Sequence, residues 1–356
     1  MKNTRVIVNR PGGSEVLQVI SEKLPEPRVG ECRLRILAAG VSYADLLMRE
    51  GVHPETPSAP FTPGWDLVGI VDKVGDGCLA YEPGQMVAAL PIVGGYADYI
   101  CLPEKELVPV PTEVDPAAAV SLVLNYVTAY QMMHRSAKVN QGQQILIHAA
   151  AGGVGTALLQ LGQLAGLEMY GTASPRNHDL VNNLGGTPID YQHNDFVAEI
   201  LHLTGDGVDV VFDGIGDRHI WRSYRALRAG GRVITYGLTS TLKEGQLSHG
   251  KRGRTRGLPV IAAQIALSHL IPNRKRIIGY SIQTLKRIKP AYFREDMSTL
   301  FNLLAQGKIK PTIAAQFPLD EVSCAHEMLA EGVRGKIVLR WENKTHDVRW
   351  QKGPDC

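Results

Sequence analysis

A glycine-rich turn between two regular segments constrains the fold most strongly. Residues 144–149 form a short β-rich run, residues 149–155 read Ala-Ala-Ala-Gly-Gly-Val-Gly, and an apolar face with helical spacing follows over 158–164. Small residues in such a turn permit a tight bend, a close approach to a pyrophosphate and close packing of helix on strand. Ala150, Gly152 and Gly155 occupy the positions for these three functions, in that order. The pattern predicts a dinucleotide site at the N-terminus of a helix beginning near Val154; the alternative is a tight turn without a ligand.

Later strand-like runs extend this pattern. Residues 167–172, 208–213 and 232–237 are short apolar runs separated by helical patterns. Near-continuous apolar runs are typical of strands buried on both faces of a parallel sheet. The alternation therefore predicts a doubly wound α/β domain over about 121–285.

The two ends of the chain differ from this middle region in composition and in the pattern of apolar residues. Residues 1–120 are rich in glycine and proline and contain short apolar runs, which favours a compact, mainly β unit. The tail, 286–356, contains one helical stretch around 320–330 and a strand-like run at 336–340. We expect the tail to return and complete the first domain, which makes that domain discontinuous.

Composition bounds the function. A chain of 356 residues suits about two domains, and a net charge of +3 gives no support to a nucleic-acid partner. The five cysteines are odd in number and far apart, which favours the cytosol over a secreted disulfide scaffold. The N-terminus lacks the apolar stretch of a signal peptide, and no run is long enough to span a membrane. We therefore expect a cytoplasmic protein with a small-molecule partner.

The stretch after the second strand of the α/β domain bears on the choice of cofactor. NAD sites place an acid there to hold the ribose hydroxyls, whereas residues 172–178 read Thr-Ala-Ser-Pro-Arg-Asn-His and contain none. Ser174, Arg176 and His178 can donate hydrogen bonds to a 2′-phosphate. The sequence predicts NADPH, with an ordinary solvated loop as the alternative.

Several motifs in order carry a resemblance to a known family. They lie at 38–45 (Ala-Ala-Gly-Val-Ser-Tyr-Ala-Asp), 63–71, 94–99, 128–130, 148–155, 230–233 and 335–339. Across nearly its whole length the chain resembles the medium-chain dehydrogenase/reductase superfamily, in its zinc-free quinone oxidoreductase (zeta-crystallin-like) branch. The resemblance implies a GroES-like β-barrel catalytic domain, 1–120 with 286–356, and a Rossmann NADP(H)-binding domain, 121–285. It also implies a homodimer.

The same resemblance bears on metal content. The zinc alcohol dehydrogenases of the superfamily have a cysteine at the position of Ser42 and Gly-His-Glu where this chain has Gly-Trp-Asp at 64–66. A hydroxyl and an indole cannot replace a thiolate and an imidazole around Zn²⁺. We therefore expect no metal, and reduction of an activated C=C bond or a quinone rather than alcohol–carbonyl interconversion.

The resemblance places the acceptor near five residues. Related enzymes have an asparagine at the position of Ser42 and a tyrosine at that of His53, so this chain departs at both. His53 is a candidate proton donor or an exposed loop histidine, and Asp45 is expected to orient its neighbours. The candidates are Ser42, Tyr43, Asp45, His53 and Asn125, with core packing as the alternative for Tyr43 and ordinary capping for Asn125.

Ten residues are expected to contact the cofactor. They are Thr128, Ala151, Gly152, Gly153, Val154, Ser174, Arg176, His178, Gly237 and Lys336. Lys336 has a solvated charge as its alternative role.

Two questions stay open at this stage. The leading hypothesis is an NADPH-dependent reductase of quinones or α,β-unsaturated carbonyls; a non-catalytic NADPH-binding protein with a redox-sensing or partner-binding role is second, and an alcohol dehydrogenase is a distant third.

Basic residues at 251–256 and 274–276 flank an apolar stretch at 258–270. We interpret this region as a surface loop and a core helix, with peripheral membrane contact as the minority alternative.

Overall fold

The computed structural model describes residues 2–237 and 257–341. The chain divides into two compact units. The first unit comprises Met1–Leu124 and Met297–Cys356, and the second comprises Asn125–Asp296.

Fifteen strands are described. In chain order they are β1 (Lys2–Val8), β2 (Leu17–Lys23), β3 (Glu31–Val41), β4 (Leu67–Val74), β5 (Met86–Ala89), β6 (Tyr99–Pro103), β7 (Val108–Pro109), β8 (Gln144–Ile147), β9 (Glu168–Ala173), β10 (Thr187–Asp190), β11 (Val208–Asp213), β12 (Leu227–Thr235), β13 (Arg276–Gly279), β14 (Ile313–Phe317) and β15 (Lys336–Arg340).

The α-helices in the described residues connect or flank these strands. They are α1 (Tyr43–Arg49), α2 (Pro116–Ser121), α3 (Val127–Tyr130), α4 (Gly153–Leu164), α5 (His178–Asn183), α6 (Phe196–Thr204), α7 (His219–Arg225), α8 (Gly257–Leu270), α9 (Ile282–Ile288), α10 (Pro290–Ala305) and α11 (Val322–Glu331).

The first unit is built around a seven-stranded sheet. Its order is β14-β15-β3-β4-β5-β7, and β6 also pairs with β3. Alternate residues of β3, including Leu34 and Ile36, lie in a buried core with Leu67 and Val71 of β4. This period of two is what an antiparallel sheet with one buried face requires. β15 of the tail pairs antiparallel with β3, so the tail supplies two strands of this sheet.

The second unit is a parallel α/β sheet, as the sequence predicts. Its strand order is β10-β9-β8-β11-β12-β13, and every neighbouring pair is parallel. Ile145, Leu146 and Ile147 of β8 are fully buried, as a central strand covered on both faces must be. From β8 the chain passes to β9 on one side and later to β11 on the other. The carboxyl end of β8 is therefore the topological switch point, where open α/β sheets bind their ligands.

One helical stretch departs from regular geometry. Asp115 caps the amino end of α2 by accepting hydrogen bonds from two backbone N–H groups. The stretch then runs through a π-helical segment, Leu122–Tyr126, the single turn of α3, and a second π-helical segment, Gln131–Ala137. It ends where Lys138 adopts a left-handed conformation. π-Helical turns are rare and often lie at functional sites, and two of the predicted site residues lie here.

The apolar stretch after the basic run forms α8. Ile265 packs against the core of the second unit, and Ser268 Oγ accepts a hydrogen bond from Ile277 of β13. These contacts hold one side of α8 on the sheet, but Leu267 and Leu270 are exposed, so α8 covers the sheet and is not the core helix that we expected. The basic run 251–256 lies outside the described residues. In the part of the chain that the structure describes, no helix is long and apolar enough to cross a membrane.

Candidate active site

The glycine turn joins β8 to α4 at the switch point. Gly152 is the N-cap of α4, with extended backbone and no side chain to cap the helix. Its N–H donates to the carbonyl of Ala149 at 2.9 Å, and Ala149 adopts a left-handed conformation with φ of 53°. We expected the tight-turn position at Ala150; the strained residue is Ala149 instead. The first turn of the helix thus lacks a side-chain cap from its own chain and is suited to an anion.

Gly155 explains the close packing of helix on strand. A Cβ atom there would lie 2.4 Å from the carbonyl oxygen of Ala149 and 2.6 Å from Cα of Ala150. Both neighbours are backbone atoms, so they cannot rotate away. The third glycine of the motif is therefore required for the position of α4, which fits a pyrophosphate cradle.

The end of β9 brings three predicted cofactor residues into one turn. Ser174 precedes a short 3-10 turn that contains Arg176, and the side chain of Arg176 is exposed. Asn177, which the sequence reasoning missed, donates through Nδ2 to Ser174 Oγ at 3.1 Å. His178 Nε2 lies 3.2 Å from the carbonyl oxygen of Ala173, so this nitrogen is the donor and Nδ1 of the neutral ring is an acceptor. His178 can therefore donate to a phosphate only when both ring nitrogens carry protons.

Thr128 of α3 belongs to a buried hydrogen-bond chain within the second unit. Its hydroxyl bonds to that of Tyr280, and Tyr280 donates to Gln131 Oε1 at 2.8 Å. Gln131 Nε2 donates to Asp296 at 2.9 Å. Since the Tyr280 proton points to Gln131, Thr128 must donate to Tyr280, which leaves the Thr128 oxygen as an acceptor. Burial raises the pKa of Tyr280, so its proton stays in place.

Two further predicted residues of the second unit are tightly packed. Gly237 lies just beyond β12, which ends at Thr235 rather than at 237 as expected. A Cβ atom at Gly237 would lie 2.1 Å from the carbonyl oxygen of Gly214, so only glycine fits there. Asn125 is buried in the first π-helical segment, one turn before Thr128.

In the first unit, Ser42 and Asp45 form a capping box at the start of α1. The Asp45 carboxylate accepts from the Ser42 N–H at 2.9 Å and from the Ser42 hydroxyl at 2.5 Å. Its other oxygen accepts from the Gly64 N–H at 2.9 Å. Two predicted candidates are thus brought together, and the role of Asp45 in orienting its neighbours remains a prediction.

The environment of Asp45 changes its acidity. The carboxyl is completely buried, and burial raises its pKa to about 6; hydrogen bonding to Ser42 opposes the rise and the charge of Asp66 adds to it. Asp45 is therefore a buried carboxyl that titrates within reach of neutral pH.

A directional hydrogen-bond chain leads to Asp45 from the far side. Arg49 Nη1 lies 3.4 Å from His326 Nδ1, and His326 Nε2 lies 3.2 Å from the Tyr96 hydroxyl. Tyr96 in turn bonds to Asp45. A guanidinium only donates, so His326 Nδ1 is the acceptor, its Nε2–H donates to Tyr96, and Tyr96 donates to Asp45. Burial lowers the pKa of His326 to about 3, helped by the charge of Arg49, which keeps the ring neutral.

Tyr43 is the first residue of α1, whereas His53 follows the end of that helix and its N–H donates to the carbonyl of Leu47. His53 is half-buried, and its ring packs edge-on against Trp65 at 5.2 Å between centroids. The Glu55 N–H donates to His53 Nδ1 at 3.1 Å, so the neutral ring carries its proton on Nε2. Tyr43 is half-buried rather than a core residue, and burial raises its pKa.

A catalytic zinc ion at the family's usual position does not fit these residues. The Ser42 hydroxyl is bonded to Asp45, and Trp65 Nε1 donates to Met48 Sδ at 3.3 Å. Neither side chain offers Zn²⁺ a thiolate or an imidazole.

Lys336 lies in the first unit with a fixed partner. Its ammonium is 3.0 Å from Asp66, and both side chains are almost fully buried. A Cβ atom at Gly40 would lie within 2.4 Å of both groups, so this glycine makes room for the pair. The alternative role of Lys336, a charge exposed to solvent, is therefore wrong. Its contact with the cofactor remains a prediction.

Comparisons with known proteins agree with this architecture. Residues 28–112 match the family described as "Alcohol dehydrogenase GroES-like domain", and residues 184–339 match "Zinc-binding dehydrogenase". The chain is 32% identical over 324 residues to the synaptic vesicle membrane protein VAT-1 homolog of Rattus norvegicus, covering 88% of this chain and 78% of that protein. The chain belongs to the medium-chain dehydrogenase/reductase superfamily.

Within this superfamily the chain lies in the quinone oxidoreductase branch. The quinone oxidoreductase of Rattus norvegicus is 28% identical over 335 residues, covering 92% of this chain and 94% of that protein. The crystal structure of Escherichia coli quinone oxidoreductase, determined with NADPH, matches with a TM-score of 0.81 at 25% identity, covering 95% and 100% of the two chains. Membership in this branch makes the chain an oxidoreductase and supports a nicotinamide cofactor.

Proposed function

We propose that the chain is an NADPH-dependent reductase of quinones or α,β-unsaturated carbonyls that works without a catalytic metal. The observation that carries this proposal is the environment of Ser42 and Trp65, whose polar atoms face Asp45 and Met48. Without a Lewis acid to polarise an alcohol oxygen, an acceptor that is already activated by conjugation is favoured.

Cofactor selection rests on the second unit. The uncapped start of α4 binds the pyrophosphate, and the Ser174–Arg176 turn binds the 2′-phosphate, where a carboxylate would repel it. Thr128, whose oxygen is left as an acceptor by its hydrogen bond to Tyr280, would help to hold the nicotinamide. The bound cofactor supplies hydride from nicotinamide C4.

Acceptor activation rests on donors of the first unit. Reduction of an enone or a quinone places negative charge on the carbonyl oxygen, and positioned hydrogen-bond donors stabilise that charge. The Nε2–H of His53 is such a donor, and the Ser42 hydroxyl becomes one when the neighbouring Asp45 is protonated. His53 is the candidate proton source because its neutral ring holds the proton on the nitrogen that faces away from Glu55.

An acceptor screen tests the proposal. We expect NADPH oxidation with at least one small quinone, enone or alkenal, and a preference for NADPH over NADH. His53→Ala lowers kcat without changing the NADPH Kd, and His202→Ala, which alters an exposed histidine of α6, is the matched control. Tight NADPH binding without turnover on any acceptor would instead favour a non-catalytic NADPH-binding protein. Turnover of simple alcohols that a chelator abolishes would favour an alcohol dehydrogenase.

A further inference from the structure

A second cluster of polar side chains lies under the glycine turn. His148 follows β8, Asp213 ends β11, and His219 and Ser223 lie one turn apart on α7. One ligand atom from each of His148, Asp213 and His219 lies within 4.8 Å of the others. His148 and Asp213 are fully buried and His219 is mostly buried. Neither the cofactor contacts nor the acceptor residues described above use this cluster.

One possible ligand atom from each of the four side chains lies close to the other three. Asp213 Oδ2 is 2.9 Å from His219 Nδ1 and 2.6 Å from Ser223 Oγ. Ser223 Oγ is 3.1 Å from His148 Nε2 and 3.5 Å from His219 Nδ1. Ligand atoms about 2.0–2.1 Å from a tetrahedral Zn²⁺ are separated by about 3.3 Å, so small shifts of these side chains would accommodate the ion.

The surroundings also suit a cation. Within the described residues, no lysine or arginine forms an ion pair with the buried Asp213 carboxylate; its recorded pair is with His219. Asp213 Oδ1 is held by the N–H groups of Ile215 and Gly216. His148 Nδ1 faces Thr172 Oγ1 at 3.1 Å, which is the outer hydrogen bond that metal-binding histidines usually have.

The apolar and charged groups near the cluster do not disfavour a bound cation. The Phe196 ring packs against both histidines, with centroids 4.7 Å and 5.1 Å away, and lowers the local polarity. Arg222 lies over the Phe196 ring, 4.6 Å from its centroid, and its charge is paired with Asp195 at 2.8 Å.

We propose that His148, Asp213 and His219, with Ser223 as a neutral fourth ligand, form a structural Zn²⁺ site beneath the cofactor turn. Two imidazoles and one carboxylate favour Zn²⁺ over Mg²⁺ or Ca²⁺, which prefer oxygen ligands. The ion joins the ends of β8 and β11 to α7 and thereby fixes the start of the glycine turn. It performs no step of the proposed reaction.

Metal binding to the untagged full-length chain tests this site. After removal of metal with a chelator and equilibrium dialysis against Zn²⁺, we expect one zinc per chain, and tetrahedral d–d absorption when Co²⁺ replaces it. Zinc at about 100 times its Kd raises the melting temperature of the 356-residue chain by roughly 3–5 °C.

A conservative variant separates the metal from the hydrogen bonds. In His219→Asn the side-chain amide can still donate to Asp213 but is a poor zinc ligand, and we expect Zn²⁺ affinity to fall at least about 100-fold. The matched control is His193→Ala, which removes an exposed histidine that is also 2.6 Å from an aspartate. Wild-type chain that retains no stoichiometric zinc, equal zinc binding by His219→Asn and wild type, or equal affinity for Mg²⁺ would each overturn the proposal. NADPH turnover is measured separately, so failure of the zinc site leaves the proposed reductase standing.

Discussion

Replacing Gly155 with alanine gives the sharpest test of how α4 is seated on the glycine turn. The new Cβ would meet three backbone atoms of Ala149 and Ala150 at 2.4–2.6 Å, where ordinary contacts are about 1 Å longer. The helix must therefore move away from the strand. Overpacking of this kind costs about 1–3 kcal/mol, and rigid backbone neighbours place it at the upper end. Alanine recovers about 1 kcal/mol of helix propensity, so the net loss is about 2 kcal/mol.

This loss has two measurable consequences. For a chain of 356 residues the melting temperature falls by about 2–4 °C, which scanning calorimetry resolves. If the first turn of α4 binds the pyrophosphate as proposed, the NADPH Kd, measured by quenching of protein fluorescence, rises at least about tenfold because that turn has moved.

Gly162 provides the matched control in the same helix. There a Cβ atom would meet Met169 Sδ at 2.4 Å, and this flexible side chain can move aside. We expect Gly162→Ala to melt within about 1 °C of wild type and to bind NADPH normally. If Gly155→Ala behaved like Gly162→Ala in both assays, the argument from backbone contact would be refuted.

Three other substitutions test separate parts of the site. Arg176→Ala should weaken NADPH by about tenfold and NADH little in fluorescence titrations; equal losses would show that the 2′-phosphate is bound elsewhere. Lys336→Met should lower the free energy of unfolding in urea by about 3–5 kcal/mol because Asp66 is left buried and unpaired, and adding Asp66→Leu should recover most of it. The pKa of Asp45 is about 6 when folded and near 3.9 when unfolded, so its contribution to stability is present below pH 4 and is lost as the pH rises through 6. The melting temperature of wild type should therefore fall relative to that of Asp45→Asn between pH 4 and pH 7. A difference between the two melting temperatures that stays constant over this range would contradict the raised pKa.

The parallel sheet and its turn could be predicted because their signals are local. The segment Ile145–Ile147 is continuously apolar, the run that forms β11 is nearly so, and the small residues of the turn stand at fixed spacing. The left-handed conformation of Ala149 was not predicted, because alanine rarely adopts it and nothing in the sequence marks this residue for it. Asn177 was missed because its contact with Ser174 depends on the local turn geometry.

The polar interior of the first unit could not be predicted for a different reason. Arg49, Tyr96 and His326 come from distant parts of the sequence and meet only when the tail returns to the first unit. A lone histidine or tyrosine at each of these positions gives no pattern. The buried Lys336–Asp66 pair was missed in the same way, because the sequence shows two charges but not their burial.

The π-helical segments give chain length a role beside residue identity. Each residue of an α-helix advances the chain by about 100° around the axis. A π-helical turn holds one residue more than an α-helical turn, so the residues after it keep the direction that they would have in a continuous α-helix. Deleting one residue from Leu122–Tyr126 and restoring an ordinary turn would therefore leave Thr128 beside Tyr280, whereas the same deletion without that conversion would rotate Thr128 by about 100°. The wide turn thus allows the length of this segment to change without a change in the direction of the side chains that follow it.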